Sequence, residues 1–174
     1  RYQRSSLLNF EIHSPKGKLM DPIGKSPIPA PILILGKAAM AFCLLFFAVK
    51  TQMADALLYD SVLTRALGVL LAASGLLVVI FGFVFLGHSV SVGLPGEATE
   101  LKTQGIFKIT RNPLYLGGFL ACVGSCLYSV HIVNILLCAL TVGIHHRIIL
   151  KEEEFLETRF GQRWLDYRRR VPRY

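Results

Sequence analysis

Residues 66–86 contain no charged side chain, and residues 114–150 contain no acidic one. Only 17% of the 174 residues are charged while 53% are hydrophobic, and the mean hydropathy is +0.51. That poverty of charge excludes an ordinary soluble domain and makes the chain an integral membrane protein. The residues ahead of the first apolar run lack the short apolar core of a signal peptide. Cysteine is scarce: Cys43, Cys122, Cys126 and Cys138 all lie in apolar runs. Cys122 and Cys126 share a helical face, but there is no CxxC and no metal-ligand spacing. They read as buried reduced thiols, with no metal expected. No internal repeat or low-complexity segment appears. A net charge of +8 and a pI near 9.6 would suit a nucleic-acid binder. The Lys and Arg residues instead gather at the ends of apolar segments and in the tail, which fits orientation in a lipid bilayer and no nucleic-acid partner.

What the chain has is apolar runs of membrane length. A bilayer core of about 30 Å needs about 20 residues of helix at about 1.5 Å each. Residues 31–49 make a first span, with Lys37 able to snorkel, and 66–86 a second. Residues 114–150 are too long for one span, and a break near Tyr128, Ser129, Val130 and His131 folds them into a helical hairpin with spans over 114–129 and 131–150. The expected fold is all-α: an integral membrane bundle of about four transmembrane helices with a C-terminal amphipathic cytoplasmic helix. Residues 1–30 form a polar N-terminal segment, in which Met20 reads as the natural start and 1–19 as upstream sequence. Residues 31–174 form a single membrane domain. The loops opposite the termini hold little positive charge beyond Lys50 and Arg65, offset by Asp55 and Asp60. The positive-inside rule therefore puts both termini and the 87–112 connection in the cytoplasm; the membrane expected is a bacterial inner membrane. Small residues such as Gly68, Ala72 and Gly75, or Gly117, Gly118 and Ala121, allow close helix packing.

At the start of the hairpin the sequence reads Arg111-Asn112-Pro113-Leu114-Tyr115. Asn is a favoured N-cap and Pro a favoured first helical residue, so Asn112 and Pro113 start the third span. A helix start also offers free N–H groups and the positive end of the helix dipole to a carboxylate or phosphate, and Arg111 adds a full charge. Glu152, Glu153 and Glu154 follow the fourth span directly. They pair with nearby cations along a solvated face, or accept hydrogen bonds from a ligand's hydroxyls. The hairpin brings both motifs to one membrane face. After it, Phe155, Leu156, Phe160, Trp164, Leu165 and Tyr167 recur at roughly helical spacing, as in an amphipathic helix broken near Gly161 that lies on the membrane or caps the bundle.

The stretch LKTQGIFKITRNPLYLGG, followed beyond the hairpin by KEEEFLETRFGQRWLDYRRRVPR, resembles the isoprenylcysteine carboxyl methyltransferase and phospholipid methyltransferase superfamily of membrane enzymes. The resemblance covers residues 87–174 and rests on several motifs in order. It implies methyl transfer from S-adenosylmethionine, leaving S-adenosylhomocysteine, in a pocket built from 87–115 and 145–174. By position, Thr99, Glu100, Leu101, Lys102, Phe107, Asn112, Pro113, Leu114, Tyr115 and Glu152 fall where the family contacts the cofactor. A carboxylate such as Glu152 suits the two ribose hydroxyls, and the helix start with Arg111 suits the methionyl carboxylate. Phe107 and Tyr115 offer ring faces to adenine or the sulfonium.

The acceptor this implies is lipophilic and enters from the bilayer. A carboxylate acceptor, as in isoprenylcysteine O-methylation, would be held by Arg147 or Arg111; an amine acceptor, as in phosphatidylethanolamine N-methylation, would give its proton to Glu153, Glu154 or His146. Asn112 stands where prenylcysteine enzymes tend to have His, and Ile148 where the family's substrate-binding Arg would align. Arg111, Arg147 and Glu153 are the candidate catalytic residues. His145 and His146 read as interfacial anchors. A nicotinamide-dependent membrane reductase and an inactive membrane scaffold are the readings from other classes.

Overall fold

The computed structural model describes residues 29–86 and 101–174. The expectations on Met20, on residues 1–19, and on Thr99 and Glu100 lie outside them. Five α-helices occur among the described residues: α1 (Ala30–Val49), α2 (Val62–Leu86), α3 (Pro113–Tyr128), α4 (Ile132–Phe160) and α5 (Gln162–Arg170). Proline sits at the start of α1 and of α3, where a missing N–H costs no hydrogen bond. The architecture is an all-helical membrane bundle. Three helices, α1, α2 and α4, are long and apolar enough to cross a bilayer; α3 is shorter, with 16 residues, or about 24 Å. Leu70, Leu76 and Val84 of α2 are more than half exposed. Water would not tolerate so long an apolar face, whereas lipid requires one.

The seam between α2 and α3 brings backbone against backbone. Gly68, Gly75 and Gly82 recur every seven residues on α2, and Gly117 and Gly124 do so on α3, so one stripe of each helix stays turned to its partner. A Cβ added at Gly75 would lie 2.5 Å from the Gly117 carbonyl oxygen, and one at Gly68 would lie 2.6 Å from that of Gly124. Only glycine permits this approach. The other side of α3 meets α1 and α4 through polar side chains. Ser125 Oγ donates to the Cys43 carbonyl at 2.7 Å, and Asn134 Nδ2 donates to Ser125 Oγ at 3.2 Å and to the Ser129 carbonyl at 3.3 Å.

At one end, His131 Nδ1 accepts from the Val133 amide at 3.1 Å and caps α4 after a turn at Ser129 and Val130. Lys50 closes the same end. Its ammonium donates to Asp60 and, at 2.9 Å, to the Tyr128 carbonyl, and it lies over the Tyr128 ring.

At the other end the helix outlasts the span expected over 131–150. The helix does not stop at residue 150 but continues to Phe160, because KEEEFLETRF holds good helix formers and nothing that interrupts the hydrogen-bond ladder. Residues 151–160 carry it past the apolar stretch. The break falls at Gly161, whose φ of 52° favours glycine. There α5 folds back and buries Trp164, Tyr167 and Val171 against Leu101, Leu156 and Phe160. Of the two placements foreseen for the amphipathic helix, its apolar side chains take the cap on the bundle.

Candidate functional site

The last residues lie beside the entry to α3. The Arg111 amide donates to the Pro172 carbonyl at 3.0 Å, and Thr110 Oγ1 donates to the Arg173 carbonyl at 2.8 Å. Tyr167 Oη donates to the Phe107 carbonyl at 2.7 Å, and burial pushes that phenol up to about 12. These bonds hold the short helical turn Gly105–Lys108, the approach to α3, α5 and the residues that follow it in one cap.

Glu153 is the centre of charge. Its side chain is 7% exposed, and the carboxylate accepts from Arg173 Nε at 3.1 Å and Nη2 at 2.8 Å, while Arg111 Nη2 lies 3.2 Å away. The two cations shift in opposite directions. Burial lowers the Arg111 guanidinium and Glu153 opposes this, whereas Arg173, a third exposed, is raised by its hydrogen bonds to Glu153. Arg111 also stacks over the Trp164 ring at 5.5 Å. Its Nε and the Trp164 Nε1 are buried with no partner among the described residues.

Asn112 is the N-cap residue of α3, but its side chain makes no capping bond. Its amide donates instead to Glu153 Oε1 and to the Arg173 carbonyl, both at 3.3 Å. The first intrahelical bond of α3 runs from the Leu116 amide to the Asn112 carbonyl. Pro113 has no N–H, so Leu114 and Tyr115 contribute the two first-turn donors that no helical carbonyl can satisfy. Uncapped donors at a positive helix end suit an anionic group.

Tyr115 reaches across to the second carboxylate. Its hydroxyl donates to Glu152 Oε1 at 2.8 Å. Burial raises the Glu152 pKa, and the Tyr115 bond only partly offsets it. Beside Tyr115 lies the buried His145, ring to ring at 5.8 Å, with Nδ1 2.8 Å from the Thr141 carbonyl.

The structure thus brings Arg111, Asn112, Tyr115, Glu152 and Glu153 together, with Phe107 and Pro113 buried alongside. Leu101 packs on the Trp164 cluster, and Lys102 is half-buried. The Leu114 side chain faces Gly82 of α2, away from Glu152. Arg147 is exposed. Glu154 is exposed and paired with Lys151, and His146 Nδ1 lies 2.8 Å from the Tyr174 hydroxyl. His145 departs from the anchor role by packing inward. Arg173 and Thr110 join the cap without any signal in their spacing, whereas Trp164 follows the helical spacing of the tail. An open cavity of about 430 Å³ between α4 and the tail is lined by Leu150, Glu153, Glu154, Glu157, Arg168 and Arg173, among others.

A family model described as phospholipid methyltransferase matches residues 63–163, which run from α2 into α5. Protein-S-isoprenylcysteine O-methyltransferases of Rattus norvegicus and Mus musculus are 33% and 32% identical over 113 residues, covering 59% of this chain and 40% of each relative. The chain thus spans about 40% of the length of these curated relatives. No solved structure matches.

Proposed function

From the premise that the chain belongs to the phospholipid methyltransferase family, we propose that it transfers a methyl group from S-adenosylmethionine to a lipophilic acceptor at the cytoplasmic membrane face. The observation that carries the proposal is the joining of the α3 entry to the α4 exit by Tyr115 on Glu152 and Asn112 on Glu153. It unites a cation-rich helix start, a buried carboxylate and aromatic faces at one point.

The residues fit the methyl donor. Glu152 Oε1 accepts from Tyr115, and Oε2 accepts nothing from the described residues, so it suits a ribose hydroxyl. The uncapped first turn of α3 suits the methionyl carboxylate. In this geometry Arg111 is held beside that helix start by the Glu153 pair and its stack on Trp164. When bound, the donor would supply a sulfonium-activated methyl carbon, with S-adenosylhomocysteine as the leaving group when the acceptor's lone pair bonds to that carbon. The protein's part is orientation and exclusion of water. Glu153, held by Arg173, Arg111 and Asn112, anchors the cap. Isoprenylcysteine-type carboxylate methylation is the first acceptor reading, supported by the names of the curated relatives; phospholipid amine methylation is the alternative, supported by the family description.

The test is transfer of labelled methyl from S-adenosylmethionine by the lipid-reconstituted chain, with small prenylated thiols and total lipid extract run side by side. Label in the prenylated thiol alone is expected. Label only in phospholipid selects the amine reading, and label in neither rejects both acceptors.

A further inference from the structure

All four cysteines of the chain meet in the apolar half of the bundle. The sulfur atoms of Cys43 on α1, Cys126 on α3 and Cys138 on α4 lie within 4.8 Å of one another. Cys122, one turn before Cys126, is fully buried beside them, and its carbonyl accepts from the Cys43 thiol at 3.7 Å. The four are free thiols. We infer that Cys43, Cys126 and Cys138 form a three-sulfur site for a soft monovalent cation of the copper(I) class.

The geometry is close to what such an ion needs. Metal–sulfur bonds of about 2.3 Å in a trigonal plane set the sulfurs about 4.0 Å apart, so side-chain adjustments of under about 1 Å close the site. Zinc prefers four tetrahedral ligands, whereas soft sulfur donors favour copper(I). Charge sets the resting state. Met40, Leu44, Leu137 and Val142 pack around the cysteines, and net charge is costly in such surroundings. The bare site therefore rests as neutral thiols; because the thiolate is the ligating form, the cation displaces protons as it binds, and binding tightens as pH rises. The ligands come from three helices, so the ion would brace α1, α3 and α4. Cys138 precedes Glu153 by a stretch of α4 about 22 Å long. The site is separate from the cap, and its outcome is independent of the methyl-transfer reading.

The test uses the full chain in lipid nanodiscs, under reducing anaerobic conditions, titrated with copper(I) from a competing chelator. The expected result is one copper per chain, a near-ultraviolet thiolate-to-copper band, and X-ray absorption showing three sulfur neighbours at about 2.3 Å. Cys126→Ala and Cys138→Ala are each expected to lose the band and at least about tenfold in affinity. Cys122→Ala, at a position at least as buried as either ligand, should keep both, which separates ligation from general damage to the bundle. Two ligand variants on different helices, each checked by circular dichroism and gel filtration, keep the test decisive if one fails to fold. Absence of stoichiometric copper, equal loss in Cys122→Ala, tighter zinc than copper, or a disulfide among the three cysteines would overturn the inference.

Discussion

The two sides of α3 are built on opposite principles. Toward α2 it presents Gly117 and Gly124, stripped of side chains so that two backbones touch. Toward α4 it presents Tyr115, Cys122, Ser125 and Cys126, whose polar or polarisable atoms all find partners on other helices or lie beside them. The first side can do one thing only, which is to fix position. The second carries every group able to engage a ligand. The difference teaches that α3, although short, is held from behind, so a side chain one turn inside it can be aimed at a carboxylate on α4.

Breaking the rigid side should have the largest effect. Gly75→Leu puts a side chain where even a Cβ would lie 2.5 Å from the Gly117 carbonyl. A loss of about 3–5 kcal/mol, or failure to fold, is expected in detergent unfolding experiments. A variant within about 1 kcal/mol of wild type would show that the seam is not close-packed. On the polar side, Glu153→Gln leaves Arg111 buried with its charge unpaired. About 3 kcal/mol of stability should disappear, because breaking a buried pair exposes the cost of burying the remaining ion. Unfolding with Arg111→Met in the Glu153→Gln background checks it: the double variant should recover part of the loss.

Smaller and more selective effects sharpen the comparison. Glu152→Ala should weaken S-adenosylhomocysteine about 10- to 100-fold, the range for lost hydrogen bonds to a charged group. Glu152→Gln should separate stability from binding. Burial raises the Glu152 pKa, so the folded chain holds that proton more tightly than the unfolded chain does. The charged carboxylate therefore destabilises the fold above its raised pKa, and the penalty vanishes as pH falls through it. The Gln variant should melt higher than wild type near neutral pH and match it in acid, yet bind the ligand more weakly at neutral pH. A variant that melts lower near neutral pH would contradict this sign. The smallest effect belongs to Glu157→Ala, which removes a half-exposed pair with Arg168. A change of less than about 1 kcal/mol in stability, with unaltered ligand affinity, is expected from the same melts and titrations.

Much of this architecture was legible in the sequence because lipid leaves few choices. Apolar length marked the helices, and Pro31 and Pro113 marked two of their starts. The hairpin break near Ser129 and the chain break at Gly161 followed from length and from glycine. The joining of the Asn112 and Glu152–Glu153 motifs followed from hairpin topology. What spacing could not show were contacts made through folding back. Arg173 reaches Glu153 only because α5 reverses the chain, and Asn112 forgoes the cap its type favours because Glu153 stands within reach. The cysteines show the same limit. Ligand spacing is a local signal, while Cys43 on α1 meets Cys126 and Cys138 of the α3–α4 hairpin only once the chain has folded. Residues 151–160 read as helix from their spacing, but their continuity with the fourth span did not show, because polarity changes at residue 150.

The central claim is that the α3 entry and the α4 exit form one wall-to-wall site for the methyl donor. Calorimetric titration of the lipid-reconstituted chain with S-adenosylhomocysteine, beside NADPH, tests it most directly. The account predicts saturable binding of S-adenosylhomocysteine alone, lost in Glu152→Ala and retained in Glu157→Ala. A folded sample that binds no S-adenosylhomocysteine, or that loses it equally in both variants, would contradict it.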